Sequence, residues 1–152
     1  MKKISLILAT LIAVTYSQIS FAQDADTVEY YTSSPTTLLS SAVRVGNMLY
    51  LSGMMGRDPE TRELAEGVEA ETHQIMKNIK ATLENYGSSL DEVVKCTVFM
   101  KNPEDRAVLN RVYRSYFGEN PPARSGVGNL ILAGTGTAEI ECMATVGLKK
   151  VN

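Results

Sequence analysis

The sequence predicts an α+β fold in which two helices pack on one face of a single sheet. Three observations carry that expectation. Two segments repeat their apolar residues at helical spacing, Val68 to Tyr86 and the stretch that begins at Asn102. The segments around them are β-branched or alternate in the manner of strands. The last segment, Ala138 to Val146, puts Ala138, Ile140, Cys142, Ala144 and Val146 on one face and Glu139, Glu141, Met143 and Thr145 on the other. From Ala42 onward the order reads β-β-α-β-α-β-β. Two helices cannot cover both faces of such a sheet, so both belong on the apolar one.

The chain has 152 residues, 44% of them hydrophobic and 21% charged. That composition suits one globular core and excludes a disordered tail or a collagen-like chain. Residues 1–22 stand apart from the fold. Met1-Lys2-Lys3 is a short basic start, Ile4 to Val14 is apolar except for Ser5 and Thr10, and Ser20-Phe21-Ala22 offers small residues before Gln23. This is the pattern of a secretory signal peptide cleaved after Ala22, with an apolar run shorter than the roughly 20 residues that span a bilayer. The mature chain, 23–152, is then a single domain in the periplasm or outside the cell. Losing Lys2 and Lys3 leaves 13 of the 15 basic residues against 17 acids, a net charge of −4. An acidic balance argues against nucleic acid as a partner, because phosphate neutralisation needs a basic surface. Nothing after residue 22 suggests a membrane partner.

Taken in order, Thr27 to Tyr31 fits a short strand, and Ser33 to Ser41, with Pro35 inside it, an ordered loop. Gly46-Asn47 between two apolar runs marks a hairpin that leads into Met48 to Gly53. Val68 to Tyr86 is the clearest helix, with Ile75, Met76, Ile79, Leu83 and Tyr86 on one stripe and Gly87 suited to end it. Val93 to Met100 is β-branched and reads as a buried strand. Asn102-Pro103-Glu104-Asp105 supplies a helix start, with Leu109, Val112, Tyr113 and Tyr116 as the apolar stripe that follows. Pro121-Pro122 hold the chain extended, and Ala123 to Leu132 is expected as another strand before the Gly134-Thr135-Gly136 turn. His73 is read as a solvated helix residue. The open face of the sheet carries Ser52, Glu139 and Glu141 among Met48, Tyr50 and Met143. It is too apolar to face water alone, so a closed homo-oligomer should cover it.

Two features point to chemistry. Arg124 stands at the start of a strand behind a rigid turn, where a fixed guanidinium can hold a carboxylate or phosphate. Glu139-Ile140-Glu141 places two carboxylates on the face away from the helices, where one could position a water or move a proton. Each is weak alone. Together with Gly46-Asn47-Met48, Ser52-Gly53 and Thr97-Val98-Phe99-Met100-Lys101, the segment Pro122-Ala123-Arg124-Ser125 and the final Ile140-Glu141 strand resemble the Rid family, also called YjgF or L-PSP. The resemblance runs from about Ala42 to Val146.

The resemblance implies a chorismate-mutase-like fold, a mixed sheet with two helices on one face, assembled as a homotrimer with clefts between subunits. It implies hydrolysis of enamines or imines of small amino acids to 2-oxo acids and ammonia, as in 2-iminobutanoate/2-iminopropanoate deaminases, with no metal or organic cofactor. Carried over by position, Arg124 binds the substrate carboxylate, Glu141 orients water, Asn110 lies in the cleft, and Ser52 and Gly53 border it. Two positions depart from the family: Leu39 falls where a cleft Tyr is usual, with Tyr30 or Tyr31 as substitutes, and Gly126 where a Cys is common. A non-catalytic binder of small carboxylates, or a holdase-like interaction protein, is the alternative reading of the same cleft. The family's strand order sets the last strand beside that of Cys96. Cys96 and Cys142 are expected as separate buried thiols, and a disulfide forms only if the two lie directly opposite one another.

Overall fold

The computed structural model describes residues 27–148. The proposed leader and its cleavage point lie outside them. Six strands form one sheet: β1 (Val28–Tyr31), β2 (Ala42–Val45), β3 (Met48–Leu51), β4 (Val93–Met100), β5 (Ala123–Val127) and β6 (Ala138–Thr145). Their spatial order is β1-β2-β3-β6-β4-β5. All neighbours are antiparallel except β4 and β5, which run parallel. Two helices, α1 (Val68–Asn85) and α2 (Arg106–Ser115), cross from β3 to β4 and from β4 to β5.

The hairpin expected at Gly46-Asn47 is present. Val45 pairs with Met48 across it, and Gly46 takes a φ of 54°, a region that glycine enters without a Cβ penalty. The stripes that predicted the helices are the ones buried. Ile75, Met76, Ile79 and Leu83 of α1 and Leu109 of α2 have no exposure, and they pack on Leu49, Val98, Ile140 and Ala144 of the sheet. Burying each Leu or Ile contributes about 2 kcal/mol. Helix α1 stops at the Tyr86 cap, and Gly87 follows with a φ of 78°. Among the described residues no helix is long and apolar enough to cross a membrane.

Four expectations change. The strand expected over Ala123 to Leu132 ends at Val127. Gly126 and Gly128 weaken it, and Asn129 turns the chain with a φ of 61°. Pro103–Asp105 forms a 3₁₀ turn ahead of α2, and the Asn102 amide bonds the Asp105 carboxylate at 3.2 Å instead of capping the helix. His73 is only partly exposed. Its Nδ1 pairs with the Tyr116 hydroxyl at 2.9 Å, because its side of α1 faces α2. The thiols are not separate either. Cys96 and Cys142 are direct partners in the β4–β6 ladder, with Cα atoms 4.1 Å apart, and they form a disulfide. Both point into the helix layer, so the register alone brings their sulfurs together.

Candidate active site

Arg124 is the second residue of β5, in register with Cys96 of β4. Parallel partners share a face, so its side chain leaves the sheet on the helix side, at the edge. There it meets α2. Its guanidinium donates to the Asn110 Oδ1 and lies over the Tyr113 ring, 4.9 Å from the centroid. Asn110 and Tyr113 are three residues apart and so project from one stripe of the helix. Burial pushes the Tyr113 hydroxyl up to about 12, which keeps the ring a neutral platform for the cation. The guanidinium opens on a cavity of about 270 Å³ lined by Met100, Pro103, Arg106, Arg124, Gly126 and Gly128. A Cβ at Gly126 would sit 3.9 Å from the Arg124 Nη2, so the glycine leaves that wall open.

The second group of residues lies past the end of β3, where Glu139 projects from the face away from the helices. Met54 and Ile140 exchange backbone hydrogen bonds of 2.9 and 3.0 Å, extending the β3 edge against β6. That pairing brings Gly53 under the Glu139 carboxylate so closely that any Cβ at residue 53 would collide with it. The Ser52 hydroxyl donates to the Ser40 carbonyl at 2.7 Å and so pins the loop before β2. Ser52, Gly53 and Leu39 line a groove of about 560 Å³ that runs on to Asn78 and Thr82 of α1. Tyr31 is stacked on Tyr86 and bonds Glu29, which turns it away from this groove.

Of the two sheet carboxylates, the structure therefore sets Glu139 beside Ser52-Gly53. Glu141 lies one pleat repeat further along, opposite Thr97, in a shallow depression of about 140 Å³ with Tyr50, Lys95 and Met143. Arg124 and Asn110 come together as the sequence suggested, and so do Ser52 and Gly53. The two pairs are not brought together within one chain: Ser52-Gly53 follow β3, whereas Arg124 and Asn110 meet at β5, with β6 and β4 between them in the sheet.

Sequence reasoning missed three residues. Tyr113 was read only as core, yet it carries the guanidinium. Arg106 lines the same cavity, and its spacing of four from Asn110 and seven from Tyr113 was the available signal. Glu71, only 2% exposed, gave no signal. Its carboxylate accepts from the Thr137 backbone N–H at 2.9 Å and the Thr137 hydroxyl at 2.8 Å, and so fixes the start of β6. Among the described residues no group of three or more His, Cys, Asp or Glu could hold a metal ion.

The fold and the pinned arginine define a class of small α+β proteins that present a fixed cation at the edge of a mixed sheet. The chain belongs to the family described as endoribonuclease L-PSP, the YjgF or Rid family, whose model matches residues 32–146. It is 42% identical over 106 residues to a RutC family protein of Pyrococcus horikoshii, spanning 69% of this chain and 84% of that one. It is 37% identical over 108 residues to a 2-iminobutanoate/2-iminopropanoate deaminase of Dermatophagoides farinae, spanning 70% and 84%. A crystal structure of RidA from an Antarctic Psychrobacter superposes with a TM-score of 0.70 at 42% identity, covering 74% of this chain and 92% of that one. The fold expected from the resemblance is the fold found.

Proposed function

We propose that this protein hydrolyses enamines and imines of small amino acids to 2-oxo acids and ammonia, in clefts shared between copies of the chain. The observation that carries the reading is Arg124, held by Asn110 and Tyr113 yet open to a cavity of about 270 Å³. A guanidinium fixed in this way can hold a substrate carboxylate with little further ordering cost. The carboxylate beside Gly53 then supplies the second half. Glu139 takes the role that position alone had given to Glu141, because it is the acid packed against Ser52-Gly53.

The steps balance simply. An enamine is first protonated on carbon and gives up a proton from nitrogen, which leaves the imine. A water, oriented by Glu139, adds its oxygen to the imine carbon while a proton passes to nitrogen. The resulting carbinolamine expels ammonia and leaves the C=O of the 2-oxo acid. Arg124 holds the carboxylate throughout. A positioned general base contributes about 10²–10⁴-fold.

Arg124 and Glu139 project from opposite faces of one sheet, so a second copy must bring the Glu139 side to the Arg124 edge. A homotrimer, the assembly the resemblance implies, would close the half-exposed face bearing Tyr50 and Met143. Residues 1–22 would direct the chain to the periplasm or the exterior, which suits the Cys96–Cys142 disulfide. N-terminal sequencing of the exported protein should begin at Gln23.

The test uses an amino-acid oxidase to generate imines in the presence of the purified protein. Formation of 2-oxo acid and ammonia should accelerate with the wild-type chain and not with Arg124→Ala. Wild-type protein no faster than that variant would falsify the reading. Leu39 at the groove favours one second reading, a carboxylate binder without turnover, since it brings no hydroxyl to a reacting water. Calorimetry run beside the assay separates the two.

A further inference from the structure

We infer that the Arg124 cavity selects acids carrying two negative charges, with Arg106 as the second anchor. The inference rests on Arg124 being the carboxylate site and names its substrate class: imines or enamines of acidic amino acids, which yield 2-oxo diacids.

Arg106 opens α2, one turn before Asn110 and two before Tyr113, so all three share the stripe that faces Arg124. Both guanidinium-bearing residues line the same cavity, and the other lining residues, Met100, Pro103, Gly126 and Gly128, carry no charge. Among the described residues neither arginine has an ion-pair partner. Arg124 spends one donor on the neutral Asn110 amide. Among the described residues the Arg106 side chain has no hydrogen-bond partner.

The other arginines of α2 are engaged. Arg111 forms a two-point pair with Glu69 at 3.0 and 3.1 Å, and Arg114 donates to the carbonyls of Phe117 and Gly118. The nearest acid in sequence, Asp105, takes the Asn102 amide. Arg106 is thus the α2 arginine left with its donors unspent, and it lines a cavity that already holds a cation.

Two guanidinium groups lining one cavity give it a positive field. A monocarboxylate neutralises one of them. A diacid answers both, with one carboxylate on Arg124 and the other on Arg106. Gly126 and Gly128 put no side chain on their part of the wall, and a cavity of about 270 Å³ is large enough for a short diacid.

Calorimetry with two probes tests this on the intact protein: 2-oxoglutarate with two carboxylates and 2-oxobutanoate with one. The wild-type chain should bind 2-oxoglutarate about tenfold more tightly, one guanidinium–carboxylate contact in affinity. Arg106→Ala should bring the ratio near one, Arg106→Lys should recover part of it, and added salt should narrow it. Arg106 is exposed, so its truncation does not threaten folding. Equal wild-type affinities for the two acids overturn the inference and leave the Arg124 site standing. Failure of the wild-type chain to bind either acid overturns the Arg124 reading, and this inference with it.

Discussion

Glu71 and Glu139 both act at the start of β6, one reaching it from α1 and the other projecting from it. Glu71 is buried, and its oxygens are taken by the Thr137 N–H and hydroxyl. Gly56 and Gly136 lie so close around it that a side chain on either would collide with it. Glu139 is half-buried, lies over Gly53, and its carboxylate accepts no hydrogen bond among the described residues. A carboxylate whose oxygens are all engaged is a brace. One held in place by packing alone, with its oxygens unspent, can take a proton or a water. The engaged carboxylate reaches Thr137 and the unengaged one projects from Glu139, two residues further along the same strand start.

The largest effect that can break this contrast is on turnover. Glu139→Gln should lower kcat for imine hydrolysis by about 10²–10⁴-fold with an unchanged melting temperature. Glu141→Gln should cost far less, and the reverse order would return the role to Glu141. Next comes stability. Glu71→Ala strands buried donors and should cost about 3 kcal/mol in denaturant unfolding. Glu71→Gln should recover most of that, because the amide oxygen still accepts from Thr137. Replacing both Cys96 and Cys142 with Ala opens a link across 46 residues of sequence and should cost about 2–3 kcal/mol, read in the same experiment.

The smallest effect is alkaline. The folded chain holds the Tyr113 hydroxyl protonated to about 12, above its ordinary value of 10.0, so its contribution is complete below pH 10 and is lost as pH rises toward 12. Tyr113→Phe should lessen the loss of thermal stability across that window, and the part due to Tyr31 and Tyr116, whose hydroxyls burial also raises, should remain. At neutral pH it should change stability by less than about 1 kcal/mol, because the hydroxyl it removes is buried without a partner.

What the sequence made legible follows from the range of the signal. The helices were readable because Ile75, Ile79 and Leu83 repeat at short intervals, and β6 because its alternation is local. Which glutamate packs against Ser52-Gly53 was not readable, since a period of two puts Glu139 and Glu141 on one face. Only the Met54–Ile140 pairing, between segments far apart in sequence, selects one. The disulfide was hidden for the same reason: it depends on the β4–β6 register. The early end of β5 came from Gly126, Gly128 and Asn129, whose effect on a strand is weaker than that of a proline. Arg124 was found by its context, but the face it occupies is set by the parallel crossover through α2.

That Arg124 and Glu139 leave the sheet on opposite faces makes each chain a party wall. In a closed ring it would give its guanidinium to the cleft on one side and its carboxylate to the cleft on the other. Two dead proteins could then repair one another. Chains carrying Arg124→Ala and chains carrying Glu139→Gln, unfolded and reassembled together, would form rings in which some clefts draw an intact arginine from one parent and an intact glutamate from the other, and activity would return to a mixture whose components have none.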